Sequence, residues 1–321
     1  MRDNEMAPTQ RRFNWQEMQV YWQIHSKRWS SIDYNLDPDG LSNVCFVGAP
    51  LWLNRYYAHS QTMVYQKLYS RLPAAGTGKR ALEVGCGTGR WCRFLVERGW
   101  DTIGIDLQPE LIQINRARYP NVKFYCTPVQ DYRAEEPFDL ISAVTVVQHI
   151  PFDEQEVVFR KLRNMIRTGG HMIMLDSIYY QTPHVFSHTV KEWQTRVEKV
   201  GFSCIATQRY DYTPFLRLSS KTMALLSMLI LRRRPVIDMP PTPETLDDAP
   251  PVYVSGGGHR NFFGWLGTVI NIILGATTPV ILGDNRLPGL SSRLDAIVEP
   301  VLVRANIPFY ARHCGFLFRA I

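Results

Sequence analysis

The sequence predicts an α/β fold, a doubly wound and mostly parallel sheet, and three neighbouring features predict it. A short apolar strand, Ala81-Leu82-Glu83-Val84, runs into a glycine-rich turn, Gly85-Cys86-Gly87-Thr88-Gly89. A helical segment follows, with Trp91, Phe94 and Leu95 at helical spacing and Gly99 placed to stop it. A second strand, Thr102-Ile103-Gly104-Ile105, then ends on the carboxylate of Asp106. Alternate glycines let the backbone approach a ligand closely and adopt dihedrals that a Cβ forbids. Strand ends of a parallel sheet share one crevice, so the turn and Asp106 can hold two parts of one nucleotide.

The spacing discriminates among nucleotides. A dinucleotide site wants G-x-G-x-x-G, with a small third residue for helix–sheet packing and a helix N-terminus for the pyrophosphate. Here Arg90 holds that third position, and the pattern is E-x-G-x-G-x-G, with Glu83 already at the end of the first strand. A carboxylate there repels a phosphate but tolerates a phosphate-free ligand that carries an ammonium group. Together with Asp106, these residues resemble the class I S-adenosylmethionine-dependent methyltransferase family.

The resemblance covers roughly residues 79–207 and implies a Rossmann-like, seven-stranded sheet with S-adenosyl-L-methionine as cofactor. Glu83, Gly85, Cys86, Gly87 and Gly89 match the cofactor turn, with Cys86 there as a small residue. Asp106 matches the acid that grips the ribose hydroxyls, and Leu107 the apolar residue on the adenine. Val129-Gln130-Asp131 matches the segment that reads the adenine edge. Phe138 to Val144 matches strand four, beneath the cofactor. Arg167-Thr168-Gly169-Gly170-His171 matches the turn into strand five, Met172 to Leu175. Val190 to Val200 reads as a helix and Ser203 to Tyr210 as strand six. Family topology places a last strand, His313 to Arg319, antiparallel between strands five and six.

The flanking chain divides as follows: 1–75, a helical cap; 76–212, the cofactor-binding core; 213–305, an insertion; and 306–321, the final strand. Aromatic residues crowd the cap (Trp15, Tyr21, Trp22, Trp52, Tyr56, Tyr57, Tyr65). In relatives a basic residue in such a cap holds the methionine carboxylate, and Arg55 stands where that residue would. The insertion contains Asn261 to Gly283 without a single charge. As a straight helix, these roughly twenty-three residues would reach about 34 Å, enough to cross a bilayer. Gly264, Gly267, Asn271, Gly275 and Pro279 break the pattern, so a hydrophobic lid, a segment dipping into a membrane surface and a true span all remain open. The first two imply an apolar substrate or partner.

Composition narrows the function. The six cysteines are scattered, with no C-x-x-C, which argues for free thiols in a reducing compartment and against zinc. The N-terminus has no apolar run, so the expected location is cytoplasmic, with membrane association left open by the insertion. The net charge of +7 is dispersed apart from Arg232-Arg233-Arg234, with no stripe or module that would read nucleic acid. Nothing bears on oligomeric state.

Methyl transfer needs alignment and, for a protic acceptor, a base within hydrogen-bond reach. Strand four ends in Val144-Thr145-Val146-Val147-Gln148-His149. His149 resembles the histidine after strand four in ubiquinone-biosynthesis-type O-methyltransferases and is the candidate general base or orienting group. In those enzymes an E-x-x-E-H arrangement is associated with a divalent metal. Thr145 and Gln148 replace the acids here, so a metal-independent mechanism is expected. Thr145, Tyr179 and Tyr180 are the candidate acceptor-binding residues. His184 and His188, four apart, lack an evident third ligand. The N/D-P-P-Y/F motif of base methyltransferases and a double-glutamate hairpin are both missing, which leaves a small, apolar metabolite, methylated at oxygen by class prior. The rival expectation is a non-catalytic methyltransferase-like subunit that binds cofactor and docks a membrane or an enzyme partner.

Overall fold

The computed structural model describes residues 12–29, 34–41, 51–73, 76, 78–179, 181–212, 214, 277–282, 285–288 and 290–321. Helices α1 (Trp15–Trp29) and α2 (Leu51–Tyr69) lead into β1 (Arg80–Val84), α3 (Arg90–Val96), β2 (Asp101–Asp106), α4 (Pro109–Arg118) and β3 (Lys123–Cys126). Strand β4 (Phe138–Val144), a 3₁₀ turn (Val147–His149), α5 (Phe152–Met165) and β5 (Ile166–Ser177) follow. A small hairpin, β6 (Gln181–Thr182) and β7 (Val185–Phe186), precedes α6 (Val190–Glu198) and β8 (Phe202–Tyr210). The last elements are β9 (Thr277–Leu282), β10 (Asn285–Pro288), α7 (Leu290–Ala305) and β11 (His313–Ala320).

The main sheet has seven strands in the order β3-β2-β1-β4-β5-β11-β8. The pairs from β3 to β5 are parallel, and β11 runs antiparallel to both β5 and β8. That is the seven-stranded arrangement expected, with the final strand inserted between strands five and six. Strand five begins earlier than the sequence suggested. Ile166 already pairs with Phe138, a bulge follows, and pairing resumes at His171 with Leu140. Gly169, at φ +82°, absorbs that bulge.

The sheet buries both faces, as a doubly wound sheet must. On one side Met172, Met174, Cys314, Phe316 and Phe318 pack with Phe159 of α5 and Trp193 of α6. On the other, Ile173, Leu175 and Leu317 pack with Tyr57, Val64, Tyr65 and Leu68 of α2. Helix α2 lies close on β11, because a Cβ at Gly315 would come within 2.6 Å of Val64 Cγ1. Helix α6 starts with a capping box, in which Thr189 Oγ1 accepts from the Glu192 N–H and Glu192 accepts from the Thr189 N–H.

The described part of the insertion holds a β9–β10 hairpin and α7. Helix α7 was not expected; it packs against α2 and β8 and buries Asp295, Glu299 and Val303. The uncharged stretch 261–283 falls mostly outside the described residues, which include only its strand β9. Among the described residues no helix is long and apolar enough to cross a membrane.

Candidate active site

The glycine turn after β1 has the left-handed backbone its sequence anticipates. Gly85, Gly87 and Gly89 lie at φ +64°, +50° and +78°. A Cβ at Gly85 would stand 2.4 Å from Val146 Cγ2, so the loop after β4 closes directly on the turn. Asp106, at the end of β2, fixes the turn from the other side. Its Oδ2 accepts the Gly87 N–H at 2.8 Å, and its Oδ1 accepts the Gln108 N–H at 3.0 Å. Burial raises the Asp106 pKa, and those backbone donors oppose the shift. Cys86 is buried in the turn. The segment around Asp39 lies over the turn: Thr88 Oγ1 donates to the Asp39 carbonyl at 2.7 Å and Arg93 pairs with the Asp39 carboxylate at 2.9 Å.

Glu83 is fully buried on the α2 face of the sheet, in register with Ser142 of β4. Neither of its carboxylate oxygens has a hydrogen-bond partner. Burial pushes its pKa up to about 8, against the pull of Ser142 and the Arg90 guanidinium. Arg90 donates from Nη2 to Gln61 Oε1 at 2.6 Å and lies 4.5 Å over the Trp91 ring, while its buried Nε has no partner. Arg55, in contrast, is exposed, and its Nη2 donates to the Leu36 carbonyl at 3.0 Å. Among the described residues the guanidinium whose charge bears on Glu83 is that of Arg90, which the sequence had marked only as a departure from the dinucleotide pattern.

Leu107 is half-buried just beyond β2. Val129 is buried after β3, and beside it Gln130 has both side-chain amide atoms buried without partners. Val144 closes β4 and packs among the α2-face core. A carboxylate in β1, a guanidinium nitrogen at the start of α3 and an amide after β3 are thus buried without partners. Buried polar groups are normally paired, and such a set fits a zwitterionic nucleoside with an amino group, a carboxylate and a base edge.

The loop after β4 is tightly tied. Thr145 sits at φ +56°, an outlier for a β-branched residue, and its Oγ1 donates to the Val144 carbonyl at 2.7 Å. The Gln148 N–H donates to Asp176 Oδ1 at 3.1 Å, and Gln148 Oε1 accepts the Ser177 N–H at 2.6 Å. That orientation directs Gln148 Nε2 at His149 Nε2, 3.1 Å away, while His149 Nδ1 meets the His184 carbonyl at 2.9 Å. The carbonyl requires the proton on Nδ1, so Nε2 accepts from Gln148. Burial lowers the His149 pKa to about 4. Trp22 of α1 contacts the His149 ring edge-on at 4.8 Å. Tyr179 is about half exposed, and Tyr180 lies outside the described residues. His184 stacks on Tyr21, and His188 Nε2 contacts Gln155 Oε1 at 2.8 Å.

One cluster at this edge was not anticipated. Tyr57 Oη lies 2.9 Å from His313 Nε2, and His313 Nδ1 lies 2.9 Å from Asp211 Oδ2. Arg312 donates to Asp211 Oδ1. Burial alone would raise the Asp211 pKa, but Arg312 and His313 outweigh it and hold the carboxyl at about 2. Asp211 sits at φ +61°, and the N–H groups of Asp211 and Tyr212 both donate to the Glu299 carboxylate of α7, at 2.6 and 2.7 Å. Glu299, buried and next to Asp211, has its pKa pushed up to about 7.

Residues 81–170 match the family model of the methyltransferase domain. The ubiquinone biosynthesis O-methyltransferase of Acinetobacter baylyi is 23% identical over 149 residues, 44% of this chain and 59% of the relative. Its counterpart in Xanthomonas euvesicatoria pv. vesicatoria is 29% identical over 127 residues, 38% of this chain and 51% of the relative. The chain thus spans between half and three-fifths of the curated relatives it matches. A solved S-adenosylmethionine-dependent methyltransferase from Mesorhizobium loti aligns with a TM-score of 0.39 at 19% identity, over 45% of this chain and 82% of that one. Residues 81–170 are thus those of a methyltransferase domain, carried on the seven-stranded sheet described above.

Proposed function

We propose that the chain transfers a methyl group from S-adenosyl-L-methionine to an oxygen of a small, apolar metabolite, without a metal. The observation that carries the cofactor assignment is the buried Glu83 carboxylate with both oxygens unpartnered, two residues before a glycine turn clamped by Asp106. Glu83 would receive the cofactor's ammonium group and Arg90 its carboxylate. Asp106 and Leu107 would hold the ribose and adenine, and Val129 and Gln130 the adenine edge. When bound, the cofactor supplies an electrophilic methyl group on a sulfonium whose leaving group is a neutral thioether.

The protein's own part is to align and desolvate. On the α2 face Tyr65 stacks on Trp91 at 4.1 Å within the buried core, a dry and rigid backing for Glu83. Well-oriented reactants gain about 7–11 kcal/mol of barrier reduction from placement alone. His149, with one nitrogen donating and the other accepting, orients the Thr145 loop and the acceptor pocket wall. Tyr179 borders the same pocket. Metal independence follows from the loop chemistry: Thr145 and Gln148 offer a hydroxyl and an amide where a metal-assisted relative has carboxylates. The oxygen acceptor and its apolar character rest on the similarity to enzymes named ubiquinone biosynthesis O-methyltransferases. The test is transfer of labelled methyl to a 4-alkylcatechol in chelator-treated buffer. Product at an unchanged rate supports the reading, and no transfer to any phenol would overturn the acceptor class.

A further inference from the structure

The loop after β4 offers no free base, and another histidine at this edge, His313, is built differently. Strand β11 is antiparallel, so its first residue, His313, stands at the carboxyl edge of the parallel strands, paired with Ser177 at the end of β5. On its other side His313 pairs with Tyr210, the last residue of β8, and Asp211 follows immediately. The placement is tied to the cofactor crevice through α2. Tyr65, Gln61 and Tyr57 lie four residues apart, a single stripe of that helix. Tyr65 Oη donates to Ser142, which is in register with Glu83; Gln61 accepts from Arg90; and Tyr57 meets His313.

We propose that Tyr57, His313 and Asp211 form the proton relay that deprotonates the acceptor hydroxyl during methyl transfer. The inference rests on the oxygen-methylation reading above. The ionised Asp211 carboxylate accepts only from an N–H, so the proton of neutral His313 sits on Nδ1. Its Nε2 lone pair then accepts the Tyr57 O–H. As the acceptor oxygen bonds to the methyl carbon, its O–H bond breaks and that proton passes to Tyr57 Oη. The phenol's own proton passes to His313 Nε2, and the resulting imidazolium is held by the Asp211 carboxylate. Charge balances, since one sulfonium is consumed and one imidazolium is formed. Arg312 keeps Asp211 ionised, and Glu299 of α7 secures the left-handed backbone that aims it; both are positioning residues.

The test uses the full chain with labelled S-adenosylmethionine and a 4-alkylcatechol in single-turnover mode. Tyr57→Phe and His313→Ala should each slow transfer by on the order of 100-fold, the usual yield of a positioned base. Cofactor affinity by calorimetry should stay within about twofold, because neither side chain is among the cofactor's proposed ligands. The double variant should be no slower than the slower single one, and added imidazole should restore part of the His313→Ala rate. Folded variants with transfer rates near wild type would overturn the relay. Its failure is separable from failure of the acceptor reading, because the nitrogen-15 spectrum of His313 needs no acceptor. A neutral Nδ1–H tautomer that Tyr57→Phe perturbs supports the relay. An Nε2–H tautomer, which would make Tyr57 the recipient of that hydrogen bond, defeats it even if no catechol is methylated.

Discussion

At the scale of single residues, the site is defined by buried groups whose charge state is decided by the ligand. Glu83 is raised from 4.5 to about 8 by burial, so the ligand-free folded chain holds a proton there that the unfolded chain has lost. Stability from this group is full below about pH 4.5 and declines as the pH rises towards 8, by about 1.4 kcal/mol per unit. Chemical denaturation of wild type and Glu83→Gln across pH 5 to 8 should show wild type losing ground, with the variant flatter. Binding a cationic ammonium expels that proton. Calorimetry at pH 7 in buffers of different ionisation enthalpy should therefore register proton release, and Glu83→Gln should not. Asp106→Asn addresses the other strand end. Charge-assisted bonds are worth about 1.5–3 kcal/mol each, so loss of the ribose grip should weaken cofactor affinity by on the order of 100-fold or more, measured by calorimetry. The glycine turn and both acids were legible in the sequence because their chemistry is local: φ above zero, and a carboxylate at a strand end. Arg90 and the Tyr57–His313–Asp211 group were not. Tyr57 and His313 are separated by 256 positions, and no periodicity links them.

At the scale of elements, packing of α2 on the sheet decides the geometry of the crevice. Gly315 is the contact that allows it, since an added Cβ would meet Val64 Cγ1 at 2.6 Å and Leu68 Cδ1 at 2.8 Å. Gly315→Ala should cost about 1–3 kcal/mol by overpacking and lower the melting temperature by several degrees. Calorimetry on the same variant should show weaker cofactor binding as the helix lifts from Arg90. The individual strands were legible as short apolar runs bounded by glycine, while the antiparallel placing of the last strand came from the family resemblance. Helix α7 did not. Pro300 interrupts its interior, its acids Asp295 and Glu299 look like surface charges, and it ends an insertion whose earlier proline-rich and glycine-rich stretches suppress a helical reading. Both acids are in fact buried, and Glu299 is spent on two backbone N–H groups.

At the scale of the whole molecule, the two faces of one sheet share strands, so the core is expected to unfold as a unit. Cofactor at about 100 times its dissociation constant should then add about 2.7 kcal/mol of stability. The readout is a melting-temperature rise of several degrees in a single transition. Two separate transitions, with only one responding, would show that the α2 cap folds independently of the sheet.

One rod of nineteen residues, α2, bonds to Arg90 through Gln61 and to His313 through Tyr57, the proposed cofactor and proton-accepting ends of the site. Any shift of that rod moves both grips at once. Thermodynamic reciprocity then demands that occupancy by the methyl donor alter the affinity for the acceptor by the same factor as the converse. On that reading donor and acceptor would bind with mutual dependence, with a single helix as the shared lever.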